Sequence, residues 1–205
     1  MRITFARHGQ SIANAGLPTD LPDDIPLTDL GQLQARELAA SWTTAPDLLV
    51  TSPFLRARQT AQPTLDRFPH LSLEIWPIQE FTYLDPNNWI GSTPAQRRPT
   101  VQAYWSTNDP YYSDGPFCES IVTLLSRADS ALQRIKALAS KHQFILLFSH
   151  SQFMHAIAIQ ALEPQFSPAE EMRLISAGGS GARFRNCQTL ELQLINGRWG
   201  AVLEA

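Results

Sequence analysis

The sequence is poor in cysteine, in net charge and in long apolar runs. Its 205 residues include two cysteines, Cys118 and Cys187. They form neither a disulfide framework nor a zinc-ligand spacing, so we expect two unpaired thiols in a reducing compartment, although the sequence does not exclude a pairing. The longest apolar run in the second half, residues 144–148, is far too short to span a bilayer.

The small charge excess also limits the partners. A formal net charge of −3 provides no electrostatic reason to bind nucleic acid or an anionic membrane surface. The first residues lead directly into an apolar strand, with no charged segment, apolar segment and cleavage site of a secretion signal. We therefore expect a cytoplasmic protein that binds neither nucleic acid nor membranes.

The remaining composition is that of a globular domain, with 43% hydrophobic and 17% charged residues. Neither an internal repeat nor a linker divides the chain, so we predict one domain over residues 1–205 with an insertion at about 81–118. This insertion interrupts the regular pattern with prolines and aromatic residues, and it is expected to pack on itself, to cover a site, or both. Its aromatic residues are Phe81, Tyr83, Trp89, Tyr104, Trp105, Tyr111, Tyr112 and Phe117.

Several apolar runs are each followed by a chemically capable side chain. The run Ile3–Ala6 precedes Arg7 and His8. The run Phe144–Ser149, which is apolar on both faces of the predicted strand, precedes His150. Runs at 47–51 and 71–76 lead to Arg56 and Glu80. Because parallel strands end at one edge of a sheet, these side chains are expected to share one crevice. Arginine suits phosphate oxygens, and Gly9 allows close approach of the backbone, which together indicate phosphate chemistry.

Between the strands the sequence predicts helices and loops. Thr28 is a candidate N-cap for a helix whose apolar positions are Leu30, Leu33, Leu38 and Trp42. Ser52 is predicted to cap a second helix with Pro53 at its first position. Residues 17–29 are rich in proline and aspartate and are interpreted as a solvated loop. A third helix is expected from Glu119 and Ser120.

The end of the chain favours antiparallel strands. Residues 183–186 and 189–194 alternate in polarity, and Asn196–Gly197 is typical of a hairpin turn before a strand at 199–203.

The motifs resemble those of the histidine phosphatase superfamily, also called phosphoglycerate mutase-like, in its branch 1. The resemblance lies in Arg7-His8-Gly9-Gln10-Ser11 with Asn14, in Ser52-Pro53-x-x-Arg56-Ala57-x-Gln59-Thr60-Ala61, in Glu80, and in Ser149-His150, where Ser151 replaces the usual glycine. Glu119, Ser120 and Arg127 resemble a G-E-S segment with Cys118 in place of glycine, and Asn186 resembles a supporting asparagine. The resemblance implies a three-layer α/β/α fold whose mostly parallel central sheet has an antiparallel edge.

The resemblance also implies a mechanism that uses neither metal nor cofactor. His8 would attack phosphorus and form a covalent phosphohistidine, while Arg7, Arg56 and His150 would bind phosphate oxygens. Glu80 would act as general acid, with its pKa raised by the bound dianion. Further phosphate contacts are expected from Gln10, Ser11, Asn14 and Ser151. The partner would be a small phosphorylated metabolite, and the oligomeric state, including a homodimer, stays open.

Alternatives stay open at this point. The same scaffold supports mutase-type phosphoryl transfer, and a catalytically silent binding protein would retain the fold alone. A zinc site built from His8, Glu80 and His150 is disfavoured because two arginines in the same crevice would repel a cation. Glu119, Ser120 and Arg127 would either line the pocket mouth or cap the helix. Arg97 and Arg98 are interpreted as surface charges, with at most one of them able to reach a second anionic group.

Overall fold

A six-stranded mixed sheet forms the centre of the protein. The computed structural model describes residues 1–163, 165–177 and 184–201. Within these ranges the strand order is β3-β2-β4-β1-β5-β6. The strands are β1 (Arg2–Arg7), β2 (Leu48–Thr51), β3 (Leu73–Ile75), β4 (Phe144–Ser149), β5 (Thr189–Ile195) and β6 (Arg198–Ala201).

The first four strands are parallel and the last two form an antiparallel edge. Strand β4 pairs in parallel with both β1 and β2, and β2 pairs in parallel with β3. Strand β5 runs antiparallel to β1, and β6 antiparallel to β5. The predicted α/β sheet with an antiparallel edge is confirmed.

Helices cover both faces of the sheet and complete three layers. They are α1 (Asp29–Ser41), α2 (Leu55–Arg67), α3 (Pro94–Ser106), α4 (Ile121–Leu138), α5 (Ser151–Leu162) and α6 (Pro168–Ala177). The larger core lies between the sheet and α4, α5 and α6. A smaller core joins the other face to α1 and α2. Within the described residues, no helix is both long and apolar enough to cross a membrane.

Helix α1 begins as predicted but buries a different face. The Thr28 side chain accepts a hydrogen bond from the Gly31 N–H, as expected of an N-cap. However, Leu30 and Leu33 are 49% and 45% exposed. The buried face consists of Gly31, Ala35 and Ala39. Gly31 lies in close contact with the loop after β1. Of the four apolar positions given for this helix, Leu38 and Trp42 pack against the core, whereas Leu30 and Leu33 do not.

Helix α2 begins later than predicted. Its first residue is Leu55 and its N-cap position is Phe54. The Ser52 hydroxyl accepts a hydrogen bond from the Phe54 N–H and so closes a turn before the helix. The prediction of Ser52 as N-cap with Pro53 at the first helical position was therefore wrong by two residues.

The chain end agrees with the hairpin but not with an extra strand. Asn196 and Gly197 both have positive φ, 50° and 76°, which is the geometry of a two-residue hairpin turn between β5 and β6. Residues 184–186 form a bend and turn instead of a strand. Arg183 and residues 202–203 of the predicted strands lie outside the described residues.

Two glycines bring α1 against the loop that follows β1. A Cβ on Gly9 would lie 2.5 Å from the Gly31 carbonyl oxygen, and a Cβ on Gly31 would overlap the Gln10 carbonyl oxygen. The Gln10 carbonyl also accepts the Thr28 N–H at 2.9 Å. The start of α1 therefore sets the position of the loop that carries His8.

The Gly31→Ala substitution tests this contact. We expect a loss of about 1–3 kcal/mol in the free energy of unfolding, because backbone must move to admit the methyl group. Gly200→Ala is the matched control, since a Cβ at Gly200 meets no atom within 4 Å. Urea denaturation measures both variants. Equal stability of the two variants would contradict the proposed close packing.

Candidate active site

The two histidines lie side by side at the carboxyl edge of the sheet. Arg7 of β1 is in register with Ser149 of β4, so His8 and His150 are the next residues on neighbouring strands. The His8 N–H donates to the Ser149 carbonyl at 3.0 Å, and the two ring centroids are 5.1 Å apart. Both imidazoles are almost fully buried. The predicted convergence of these strand ends is therefore observed.

Hydrogen bonding selects one tautomer of His8. Its Nδ1 lies 2.7 Å from the Gly9 carbonyl oxygen, which can only accept a hydrogen bond. Its Nε2 lies 3.3 Å from the Nε of Arg56, which can only donate. We therefore assign the proton to Nδ1 and the lone pair to Nε2. The unprotonated nitrogen of His8 is therefore the one that faces Arg56.

Both imidazoles are held neutral. Burial lowers the pKa of His8 well below its ordinary value, and the charges of Arg56 and Arg7 lower it further, against a smaller opposing effect of the Gly9 carbonyl. Burial likewise lowers the pKa of His150, followed by the charge of Arg56. A neutral His8 at neutral pH has the lone pair that nucleophilic attack needs.

Two arginines hold positive charge beside His8. Arg7 donates from Nη1 to the Phe184 carbonyl at 2.5 Å. Arg56 donates from Nη1 to the Pro22 carbonyl at 2.6 Å. Burial lowers the pKa of Arg56 to about 10, while the Glu80 carboxylate opposes the shift. Both guanidiniums therefore remain cationic at neutral pH and are fixed in orientation by main-chain carbonyls.

Glu80 enters the same site from the segment after β3. Its Oε1 accepts hydrogen bonds from the N–H groups of Phe81 at 3.1 Å and Gln152 at 3.0 Å. Because Gln152 lies in the first turn of α5, the amino end of this helix holds the carboxylate of Glu80. Ser151, one residue earlier on α5, was predicted to direct its N–H at a phosphate, but it does not line the cavity beside His8.

Glu119 and Arg127 support the Glu80 segment from behind. They form a two-point ion pair with N···O distances of 2.9 and 2.6 Å. The Nη1 of Arg127 also donates to the carbonyls of Pro77 at 2.8 Å and Gln79 at 3.2 Å. Glu119 and Arg127 thus position this segment instead of lining the pocket mouth, whereas Ser120 caps α4.

The charged groups surround a small cavity. Its volume is about 180 Å³, and the residues lining it are Arg7, His8, Ser11, Ala13, Asn14, Ile25, Arg56, Glu80, Tyr83 and Gln152. Six of the nine predicted site residues thus share one cavity. His150 lies next to His8 without lining the cavity. Gln10 and Ser151 do not line it, and the Gln10 side-chain oxygen instead accepts the Thr28 hydroxyl at 2.8 Å.

Asn186 joins two parts of the site. Its amide nitrogen donates to the His8 carbonyl at 3.0 Å and to the side-chain oxygen of Asn14 at 3.1 Å. The same Asn14 oxygen accepts the N–H and the hydroxyl of Ser11, both at 3.2 Å. These contacts fix the orientation of the Asn14 side chain at the wall of the cavity.

Three residues support the site in ways that the sequence did not predict: Ser52, Thr60 and Pro22. The Ser52 hydroxyl lies 2.8 Å from the Nε2 of His150. The Thr60 hydroxyl accepts the Gly9 N–H at 3.0 Å and donates to the Arg56 carbonyl at 2.6 Å. Ser52 and Thr60 belong to the same motif as Arg56, which was the available signal. Nothing in the sequence indicated Pro22. Its contribution is a main-chain carbonyl, which accepts the hydrogen bond from Arg56, and it lies in a loop that was interpreted as solvated.

Comparison with known proteins agrees with this geometry. The model of the histidine phosphatase superfamily, branch 1, matches residues 3–196. This chain belongs to that superfamily. The family prediction is confirmed, and with it the expectation of an enzyme of the histidine phosphatase family.

Individual relatives are similar over nearly the whole chain. The uncharacterized phosphatase PhoE of Bacillus subtilis (strain 168) is 27% identical over 190 residues, covering 89% of this chain and 88% of the relative. The mycobacterial glucosyl-3-phosphoglycerate phosphatase, in a complex with VO3, has a TM-score of 0.77 at 24% identity, covering 99% of this chain and 98% of its own. The phosphoserine phosphatase of Entamoeba histolytica, in a complex with phosphoserine, has a TM-score of 0.72 at 19% identity, with coverages of 98% and 95%. These solved structures share the fold.

The side chains around the cavity suit an anion better than a metal ion. In the part of the chain that the structure describes, no group of three or more histidine, cysteine, aspartate or glutamate residues is arranged to hold a metal ion. The cavity instead presents two guanidiniums and a neutral imidazole, which suit an oxyanion.

The buried neutral histidines predict how stability depends on pH. Below their ordinary pKa of 6.5, His8 and His150 take up protons in the unfolded chain but not in the folded one. Stability from these groups is therefore complete above about pH 6.5 and falls as the pH decreases, by up to about 1.4 kcal/mol per pH unit for each histidine. Urea denaturation at several pH values between about 5 and 7, on both sides of the ordinary histidine pKa, measures how steeply the free energy of unfolding changes with pH.

In a His8→Asn variant the free energy of unfolding should depend less steeply on pH, because the contribution of one of the two histidines is removed. His70→Asn, at an exposed position, is the control and should retain it. An unchanged slope in His8→Asn would contradict the assignment of a neutral buried His8.

Proposed function

We propose that this protein hydrolyses phosphomonoesters of small metabolites in two displacements at His8, without a metal ion. The observation that carries the proposal is the position of His8 Nε2, which bears a lone pair beside a fixed guanidinium while Gly9 holds the proton on Nδ1. The names of the relatives, phosphatases for compounds such as glucosyl-3-phosphoglycerate and phosphoserine, support this class of substrate.

In the first displacement, His8 Nε2 attacks phosphorus while the bond from phosphorus to the leaving oxygen breaks. The in-line displacement spreads negative charge over the equatorial oxygens, and Arg7 and Arg56, already oriented by their bonds to main-chain carbonyls, donate hydrogen bonds to these oxygens. Glu80 gives its proton to the leaving oxygen. The products of this step are an alcohol and a phosphohistidine on His8.

In the second displacement, water attacks phosphorus and the bond from phosphorus to Nε2 breaks. Glu80, now ionised, takes the proton from the water. His150 supports the His8 ring as a neutral neighbour, with the two ring centroids 5.1 Å apart and with its own Nε2 2.8 Å from the Ser52 hydroxyl. Phosphate release returns His8 to its starting state.

Replacing His8 tests the nucleophile. His8→Ala should lower turnover of p-nitrophenyl phosphate by at least about 10³-fold, because the covalent route is removed. Arg58→Ala is the matched control, since Arg58 is exposed on the same helix as Arg56 and should leave turnover unchanged. Denatured wild-type enzyme quenched during turnover should carry an acid-labile, base-stable phosphoryl group at His8. A chelator should not change the rate.

Other results would replace the proposal. Turnover by His8→Ala, or a phosphoryl group on another residue, would exclude His8 as nucleophile. Isomerisation of a phosphoglycerate faster than phosphate release would indicate a mutase. A folded protein that turns over no phosphorylated metabolite would indicate a binding role.

A further inference from the structure

A second cavity adjoins the phosphate-sized one and shares part of its wall. Its volume is also about 180 Å³. Four residues, Ile25, Arg56, Glu80 and Tyr83, line both cavities. A phosphomonoester bound with its phosphorus at His8 has its leaving group beside Glu80, and this second cavity is therefore the space available to that group.

The walls of the second cavity are mostly apolar and aromatic. They include Phe54, Phe81, Leu84, Trp89 and Val101. The lining rings support one another and are supported from behind by Tyr104: Phe81 lies 5.2 Å from Tyr83, and Tyr83 lies 4.8 Å from the buried Tyr104, between the centroids of tilted rings. Rings packed against one another hold an apolar wall in place, which suits a rigid apolar group such as a planar ring better than a flexible polyol.

Besides Arg56 in the shared wall, a second arginine lines this cavity. Arg97, near the start of α3, donates from Nη1 to the carbonyl and the hydroxyl of Ser92, both at 2.8 Å. Ser92 is itself fixed, because its carbonyl accepts the Thr19 N–H at 3.1 Å. Arg97 takes part in neither of the ion pairs found among the described residues, which are Arg127–Glu119 and Arg134–Glu74.

Neither carboxylate that lines this cavity, Glu80 or Asp20, forms an ion pair with Arg97. Arg56 and Glu80 belong to the shared wall and act on the phosphate. Asp20 is exposed, with no ion pair to Arg97. Burial lowers the pKa of Arg97, as expected of a cation that has lost water without gaining a carboxylate. An anionic ligand group would restore that lost stabilisation.

We propose that the preferred substrate is a phosphomonoester whose leaving group combines a flat apolar body with a second anionic group, such as a carboxylate, bound by Arg97. The proposal rests on the phosphatase function proposed above, because it places the phosphate at His8. Arg97 is then a specificity-determining residue, and the aromatic insertion is the surface that recognises the leaving group. The earlier interpretation of Arg97 as a surface charge is replaced, while that of Arg98 stands.

Arg98 provides a matched control. It is the next residue on the same helix, is exposed, and lines a different cavity with Gln102 and Trp105. Arg97→Gln and Arg98→Gln therefore remove the same charge from neighbouring positions, one inside the leaving-group cavity and one outside it.

The test uses phosphonates, which cannot be hydrolysed, so that binding is read apart from turnover. Dissociation constants are measured by calorimetry for methylphosphonate, benzylphosphonate, 4-carboxybenzylphosphonate and 4-(aminomethyl)benzylphosphonate. Wild-type protein should bind the benzyl compound more tightly than the methyl compound. It should bind the carboxylated compound at least about tenfold more tightly than the benzyl compound, the effect of one charge-assisted hydrogen bond.

In Arg97→Gln the preference for the carboxylate should fall to about one, while the affinity for benzylphosphonate, and hence the fold, is retained. Arg97→Lys should keep part of the preference, and Arg98→Gln all of it. A wild-type preference for the ammonium compound, which would indicate Asp20, or no preference at all, would overturn the proposal, as would equal losses in the two glutamine variants. If the preference holds while no phosphomonoester is hydrolysed, the phosphatase function fails and the binding site stands.

Discussion

The pairing of β1 with β4 is the constraint on which the active site depends. One main-chain hydrogen bond, from the His8 N–H to the Ser149 carbonyl, marks the point where the two strands end together. A histidine directly follows each strand, so the parallel register places His8 beside His150, with the two ring centroids 5.1 Å apart. A slip of one residue would turn His8 to the opposite face of the sheet, because side chains alternate along a strand. The core that holds this register therefore also holds the site.

Around that pair the protein keeps charge and neutrality apart within a few ångströms. The imidazoles are neutral because burial penalises their cations and the neighbouring guanidiniums repel a further positive charge. The guanidiniums stay charged at neutral pH because arginine is a very strong base, and the main-chain carbonyls of Phe184 and Pro22 fix their orientation by accepting hydrogen bonds from them. Such an arrangement needs no reorganisation when an oxyanion arrives, which is the basis of electrostatic stabilisation in active sites.

The loop before α1 links catalysis to the leaving-group cavity. Its Pro22 carbonyl orients Arg56, its Thr19 pairs with Ser92, and Ser92 holds Arg97. One segment of main chain thus supports both Arg56, which lines the two cavities, and Arg97, which lines the second one. The aromatic insertion gains its position from the same contact, although its own rings supply the packing.

The motifs around Arg7, Arg56, Glu80 and His150, and the strand-like runs before them, were enough to predict the family, the sheet type and the convergence of these residues. Those features are local, and each is written in adjacent residues. The buried face of α1, the late start of α2, the exclusion of Gln10 and the placement of Arg97 were decided only by tertiary structure. They depend on backbone approaches and main-chain carbonyls contributed by distant segments, which no residue type in the sequence encodes.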